Sequence, residues 1–202
     1  GHALRLRRSG DLLLVASLEG SVALVDISAP LAPRVISAGN TEQARDMLAV
    51  TDRLYLVGSS KITELELPFS YSTGGYPERE QRIPPSVAEL TVAFNRPLVA
   101  ASVTSGSVRL IGPAGIVPTS LQVTSDPATL AYLIHVTPQQ PLLPGSDYRL
   151  EVDTTVTDQR GGAVLRNGAK LLGVGFGASL LGVSATNALI AANFAIGAVL
   201  MM

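Results

Sequence analysis

Short stretches of alternating apolar and polar residues run through the second half of the chain. Leu90, Val92 and Phe94 are separated by small or polar residues, so all three would lie on one face of a strand. Comparable stretches occupy residues 108–110, 121–123, 130–136 and 148–152. Strands of this length, about 8–15 residues apart and separated by turns rich in Pro, Gly and Ser, are typical of an antiparallel β-sandwich.

The first third of the chain is more continuously apolar and contains an internal repeat. "GDLLLVASLEGSVALVDIS" at 10–28 aligns with "TDRLYLVGSSKITELELP" at 51–68, which pairs Asp11 with Asp52 and Leu13 with Leu54. Between the copies, "RVIS" and "ARDMLAV" predict two more strands. A repeat of about 40 residues with four short strands per unit is typical of the blades of a β-propeller.

A stiff connector joins two of these predicted strands. In "VDISAPLAPRV" Asp26 ends one strand, and Pro30 and Pro33 follow before the next strand begins. Proline fixes its own φ and has no N–H to donate to a neighbouring strand. The connector therefore predicts that the chain leaves one strand and enters the next at a fixed angle.

The segment 9–68 resembles the LVIVD repeat of bacterial and archaeal surface β-propellers. That repeat combines a V-x-V-[IV]-D-[IV]-S-[DN]-P-x-x-P segment with an x-A-x-D-[VI]-x-V-x-G-x-[YL]-[AL]-Y-V-A segment. The residues that match are Asp26, Ile27, Ser28, Pro30, Pro33, Asp46, Val50 and Tyr55, whereas Ala29 replaces the usual acidic or amide residue. The resemblance implies a partial propeller, because a closed one has about 4–8 blades. An ordinary β-meander with proline-rich turns is the alternative.

The segment 83–177 resembles the SbsA-type bacterial Ig-like domain. "VAFNRPLVAASVTSGSVRLIG" matches the opening of that family, and "VTPQQPLLPGSDYRLEV" matches its later P-x-x-P-L-x-P-G-x-x-Y pattern. The residues that match are Phe94, Asn95, Pro97, Pro138, Leu142, Pro144, Gly145, Tyr148, Asp158 and Gly161. The resemblance implies structural roles for them. Pro144 and Gly145 would form a tight turn, and Tyr148 a tyrosine corner with a buried ring and a hydroxyl bonded to nearby backbone.

These features predict a mainly β protein: partial propeller blades, an antiparallel Ig-like sandwich and an apolar C-terminal segment. The predicted regions are a propeller-like segment 1–68, a linker 69–85, the sandwich 86–178 and an apolar tail 179–202. The linker prediction rests on the Pro, Gly, Ser and charged residues of "PFSYSTGGYPEREQRIPPS".

The tail carries no charged residue, and the 23 residues 180–202 are long enough to cross a bilayer of about 30 Å. Ser, Thr and Asn side chains interrupt its apolar character. A membrane anchor, a helix buried in a larger assembly and the start of a further module are the alternatives, and the last is preferred.

Composition narrows the classes of function. Apolar residues make up 47% of the chain and charged residues 15%, which excludes a disordered chain. The net charge is -1, so no surplus of basic residues points to nucleic acid as a partner. The chain has no cysteine, so disulfides, thiol catalysis and Cys-based zinc sites are excluded. Its two histidines leave little material for a histidine metal site or a catalytic triad.

Three groups of residues match patterns found in binding or catalytic sites, but the sequence around each of them favours a structural interpretation. "GVGFGA" at 173–178 satisfies G-x-G-x-x-[GA], yet no acidic residue follows Asp158, so the end of a glycine-rich strand is preferred over a dinucleotide site. His135 alternates with apolar neighbours and is predicted to be an exposed strand residue with few partners. Glu78 and Glu80 lie in the predicted linker, which cannot hold two carboxylates at the fixed separation a glycosidase needs.

Asp153 and Asp158 are the candidate ligands for a calcium ion between modules. Calcium takes about 6–8 oxygen ligands, and the chain has no D-x-D-x-D run. The sequence therefore predicts no catalytic residue, no metal and no cofactor, with calcium at this pair as the alternative.

The preferred interpretation is a non-catalytic region of a larger bacterial exported or cell-surface protein. The sandwich would be a spacer, and the propeller segment a platform for adhesion to other modules, surface proteins or glycans. Membrane contact would depend on the tail. The alternative is an accessory region of an extracellular enzyme, carbohydrate-active or proteolytic, whose catalytic domain lies outside this chain.

Overall fold

The computed structural model describes residues 3–29, 31–41, 43–78, 81–128, 130–165 and 167–174. The predictions for Pro30, Glu80, the last four residues of "GVGFGA" and the tail 179–202 lie outside these residues. The described part is mainly β and divides after Pro68 into two compact units. No helix within it is long and apolar enough to cross a membrane.

Unit 1 begins with an antiparallel meander in which each strand pairs with the next. Its strands are β1 (Ala3–Ser9), β2 (Leu12–Ser17), β3 (Ser21–Asp26) and β4 (Arg34–Asn40), in the spatial order β1-β2-β3-β4. A second sheet follows in the order β5-β6-β7, made of β5 (Asp46–Val50), β6 (Arg53–Val57) and β7 (Ile62–Glu66). We call them the first and second sheets.

The two sheets share local geometry at equivalent positions of the repeat. The N–H of Ile27 donates to the carbonyl of Asp11 at 2.9 Å, and the N–H of Leu67 donates to that of Asp52 at 2.7 Å. The β1–β2 turn starts at a residue with φ 56° and the β5–β6 turn at one with φ 50°. The first is Gly10 and the second Thr51. The sequence repeat is therefore a repeat of structure, whereas closure into a propeller stays a prediction.

Unit 2 is a sandwich of two sheets. Its strands are β8 (Ser72–Gly74), β9 (Arg82–Ile83), β10 (Leu90–Phe94), β11 (Val108–Gly112), β12 (Gly115–Val117), β13 (Thr119–Asp126), β14 (Ala131–Pro138), β15 (Ser146–Val152) and β16 (Asn167–Val174). One sheet has the order β13-β14-β10-β8 and the other β12-β11-β15-β16-β9. The pairings are antiparallel except for β9 with β16, which is parallel.

The predicted alternation builds the core of this sandwich. Buried side chains from both sheets meet in one cluster, with Leu90, Val92 and Phe94 from one sheet and Leu110 and Leu150 from the other. Other members are Ile134, Val136, Tyr148 and Val152, and Leu121 and Val123 pack against it. Leu130 is an exception to the pattern. It is exposed, with φ 56°, in the turn before β14.

The predicted linker 69–85 is instead part of the sandwich. Tyr71 is buried, β8 pairs with β10, and β9 pairs with β16. The prediction was wrong because it rested on composition, and short strands at a sheet edge tolerate Pro and Gly. The described part of unit 2 therefore starts at Phe69 and not near residue 86.

Candidate functional sites

The Asp of the predicted propeller motif shapes the end of β3. Asp26 is buried, and its Oδ1 accepts the N–H of Ser28 at 2.9 Å. Its Oδ2 lies 3.6 Å from Nη2 of Arg34, the first residue of β4. Pro33 directly precedes that strand. These contacts hold the chain where it leaves one strand and enters the next, so Asp26 has a structural role.

The second acidic residue of that motif links the two sheets of unit 1. Asp46 opens β5 and binds Arg7 of β1 through two hydrogen bonds, of 2.9 Å from Nε and 2.8 Å from Nη2. Hydrogen bonds from Arg7 and from the N–H of Met47 hold the pKa of Asp46 well below its usual range. A further hydrogen bond of 2.9 Å runs from Nε of Arg5 to the carbonyl of Arg45.

One face of the first sheet is buried. Arg7 lies opposite Leu14 and Arg5 opposite Ala16 in the β1–β2 register, so these side chains share a face with Leu12. The ion pair of Arg7 with Asp46 joins this side of β1 to β5, which lies beside both β1 and β2. Leu12, Leu14 and Ala16 are 0%, 1% and 0% exposed.

The equivalent face of the second sheet is exposed. The repeat places Leu48 at the position of Arg7, Tyr55 at that of Leu14 and Val57 at that of Ala16. Cross-strand register puts Val50 and Ile62 on the same face. Leu48 is 58% exposed, Val57 38% and Ile62 67%. We call Leu48, Val50, Tyr55, Val57 and Ile62 the outer apolar face. The same register places Arg53 and Glu64, an ion pair at 3.4 Å, on this side of the sheet.

In unit 2, Asp158 is the centre of a buried polar network. Its Oδ2 accepts hydrogen bonds from Oγ of Ser70 at 2.7 Å and from Nη1 of Arg96 at 3.3 Å. Its Oδ1 accepts the N–H groups of Arg160 and Gly162, both at 2.9 Å. Burial alone would raise the pKa of Asp158, but these four hydrogen bonds together hold it below its usual value.

This network brings two predicted motifs of the sandwich together. The carbonyl of Pro97 accepts the N–H of Gln159 at 3.0 Å. The matching residues at 94–97 therefore lie against the turn at 158–161. Asn95 accepts the N–H of Tyr71 through Oδ1 at 2.8 Å. The sequence interpretation missed Ser70 and Arg96, because a Ser in a polar stretch and an Arg beside a Pro carry no periodic signal.

Tyr148 lies where the tyrosine corner was predicted. Its ring is buried, and its hydroxyl accepts the N–H of Leu143 at 2.7 Å. Gly145 has φ 70° in the turn that follows Pro144. The ring lies against Gly112 of β11, where an added Cβ would be 2.5 Å from Cε1.

His135 has more partners than the sequence suggested. Its Nδ1 lies 2.8 Å from Oε1 of Glu89, and its Nε2 lies 2.8 Å from Oγ1 of Thr124. The order hydroxyl, imidazole, carboxylate is that of a nucleophile with its base. The three side chains, however, lie on the outer face of the β13-β14-β10 sheet, and such catalysis also needs donors aimed at the developing oxyanion. We interpret them as a cross-strand hydrogen-bond chain.

The remaining candidates do not converge on a site. In the described part of the chain, no three His, Asp or Glu side chains are grouped as metal ligands. Oδ1 of Asp153 accepts the N–H of Thr155 at 3.0 Å, and a calcium ion at Asp158 would have to displace Arg96. The N–H of Glu78 donates to Oε1 of Gln81 at 2.9 Å. The first two residues of "GVGFGA" end β16.

Comparison with known proteins identifies one part of the chain. The family model of the bacterial Ig-like domain matches residues 76–172. The match lies entirely within unit 2, so the predicted Ig-like sandwich is confirmed. No curated protein matches the chain.

Proposed function

We propose that the chain is a non-catalytic region of a larger bacterial exported or cell-surface protein, in which unit 2 is a spacer and unit 1 an interaction platform. Bacterial Ig-like domains are typically non-catalytic modules of bacterial surface proteins. The buried polar groups of unit 2 fit this role, because Ser70 and Arg96 both donate to Asp158, which also accepts two backbone N–H groups.

The proposal that unit 1 is an interaction platform rests on its outer apolar face. Large apolar side chains that are exposed together mark interaction surfaces on soluble proteins. The equivalent residues of the first sheet, Leu14 and Ala16, are buried. The second sheet instead presents apolar side chains to solvent beside the Arg53–Glu64 ion pair, and the partner that fits it is another module with an apolar β-sheet surface.

Substitution of this face tests the platform. We expect the wild-type chain to associate as its concentration rises, because no partner covers Leu48 and Ile62. Leu48→Glu combined with Ile62→Glu should abolish this association, since burying an unpaired carboxylate in an apolar contact is costly. Sedimentation velocity gives the readout.

Ile116→Glu is the matched control. Ile116 is 67% exposed, as is Ile62, but it lies in unit 2. Loss of association with Ile116→Glu and not with the double variant would contradict the proposed platform. So would a wild-type chain that stays monomeric at every concentration.

A further inference from the structure

The first and last described segments of unit 2 run side by side in the same direction. Ser70 forms a parallel bridge with Val164. Further along both segments, Arg82 pairs with Gly173 and Ile83 with Val174, again in parallel. The chain therefore enters unit 2 on one strand of a parallel pair and leaves the described part of it on the other.

Parallel pairing determines how tension would load these contacts. When the two ends of a parallel pair are pulled apart, the strands slide along each other and their hydrogen bonds are loaded together. In an antiparallel hairpin pulled at its open end, the bonds break one after another, each at a lower force. The described part of unit 2 has parallel pairs at its two ends and antiparallel hairpins such as β13–β14 elsewhere.

Contacts outside the parallel pairs also hold the entering segment in place. The bond from the N–H of Leu165 to the carbonyl of Ser70, at 2.7 Å, belongs to the parallel bridge, whereas the Ser70 hydroxyl donates outside it, to Asp158. The next residue, Tyr71, has a buried ring and exchanges hydrogen bonds with Asn95, through its N–H to Oδ1 at 2.8 Å and through its carbonyl to the N–H at 3.2 Å. Sliding the entering segment out breaks these contacts at the same time as the parallel bridge.

We infer that unit 2 is a force-bearing module, in which the parallel pairs and the Ser70–Asp158 hydrogen bond form a clamp that resists tension between its ends. The inference rests on the proposed spacer role and adds a mechanical function to it. A spacer in a surface protein that contacts other surfaces is pulled along its chain ends, which is the direction the clamp resists.

Single-molecule force spectroscopy tests the clamp directly. The chain has no cysteine, so two introduced cysteines define the pulling axis in the full chain. Pro68→Cys with Gly175→Cys pulls along the chain ends and loads the clamp. Ser120→Cys with Gln139→Cys, attached to handles under reducing conditions, pulls at the open end of the β13–β14 hairpin. We expect unit 2 to unfold at a clearly higher force along the first axis.

Ser70→Ala tests the contribution of the clamp hydrogen bond. Forced unfolding is governed by the unfolding rate, and losing one buried hydrogen bond should raise that rate roughly tenfold along the first axis. Along the hairpin axis the variant should unfold as the wild type does. Ser72→Ala is the matched control, because the Ser72 hydroxyl donates within β8, to the carbonyl of Gly74 at 3.3 Å.

Equal unfolding forces along the two axes would overturn the inference. An equal rise in unfolding rate for Ser70→Ala on both axes would also overturn it. The hydrogen bond would then stabilise the fold as a whole instead of resisting force along one axis. Neither result depends on the outer apolar face of unit 1. Failure of the clamp is therefore distinguishable from failure of the interaction platform.

Discussion

The hydroxyl of Ser70 donates to Oδ2 of Asp158 at 2.7 Å, although the two residues are 88 positions apart. Both side chains are buried. The hydrogen bond joins the beginning of unit 2 to the turn that precedes its last strand. The segment from residue 69 therefore belongs to the folded domain, and the carboxylate of Asp158 joins two distant parts of that domain.

Removing the charge of Asp158 should destabilise unit 2. In Asp158→Asn, the buried guanidinium of Arg96 loses the carboxylate that it binds, and loss of one partner from a buried pair costs about 3–5 kcal/mol. Denaturant unfolding measures the difference. Asp147→Asn, at an exposed position of β15, is the control and should lie close to the wild type. A variant at position 158 as stable as this control would contradict the role assigned to the network.

Acid should weaken unit 2 through the same carboxylate. The pKa of Asp158 is lower in the folded chain than its usual value, which is about 3.9 in an unfolded chain. The stabilisation is therefore complete above about pH 4 and is lost as the pH falls toward the folded value. Unfolding midpoints measured on descending pH should drop more steeply for the wild type than for Asp158→Asn. Parallel curves would exclude Asp158 as the titrating group.

Gly112 should not tolerate a side chain. A Cβ there would lie 2.5 Å from the ring of Tyr148, which is buried and held by the N–H of Leu143. Overpacking of this kind costs about 1–3 kcal/mol. Gly106→Ala is the matched control, because its nearest atom would be Oγ1 of Thr104 at 3.6 Å. Equal thermal stability of the two alanine variants would show that the ring moves freely.

The repeat in unit 1 makes a reciprocal prediction. Thr51 has φ 50° at the position where the first repeat has Gly10. The left-handed region costs a residue with a Cβ about 1–2 kcal/mol, and the added chain entropy of glycine offsets roughly 0.5–1 kcal/mol of that. Thr51→Gly should therefore stabilise unit 1 by up to about 1 kcal/mol, and Gly10→Thr should destabilise it, as followed by thermal unfolding. Destabilisation by Thr51→Gly, or stabilisation by Gly10→Thr, would mean that the two turns are not equivalent.

The faces of strands could be predicted from sequence because they depend on neighbouring residues. Alternation placed Leu90, Val92 and Phe94 correctly, and the repeat identified equivalent strands in both sheets of unit 1. Contacts between distant segments were missed. Nothing in "PFSYSTGG" indicates that Ser70 meets Asp158, since its composition is that of a loop. His135 likewise received its partners from neighbouring strands, whose pairing a single sequence does not encode locally.

The exposure of the outer apolar face also could not be predicted from the sequence pattern. Leu48 and Ile62 are apolar residues of predicted strands, so the sequence pattern alone predicts that they are buried. Their exposure depends on whether another sheet follows in space, which is a property of the assembly and not of local sequence.

Calorimetric unfolding of the full chain tests the central claim most directly, namely that a self-contained Ig-like spacer is joined to a separate platform. The account predicts two transitions, with Asp158→Asn lowering the midpoint of one and leaving the other in place. A single cooperative transition, lowered as a whole by that substitution, would contradict the division into spacer and platform.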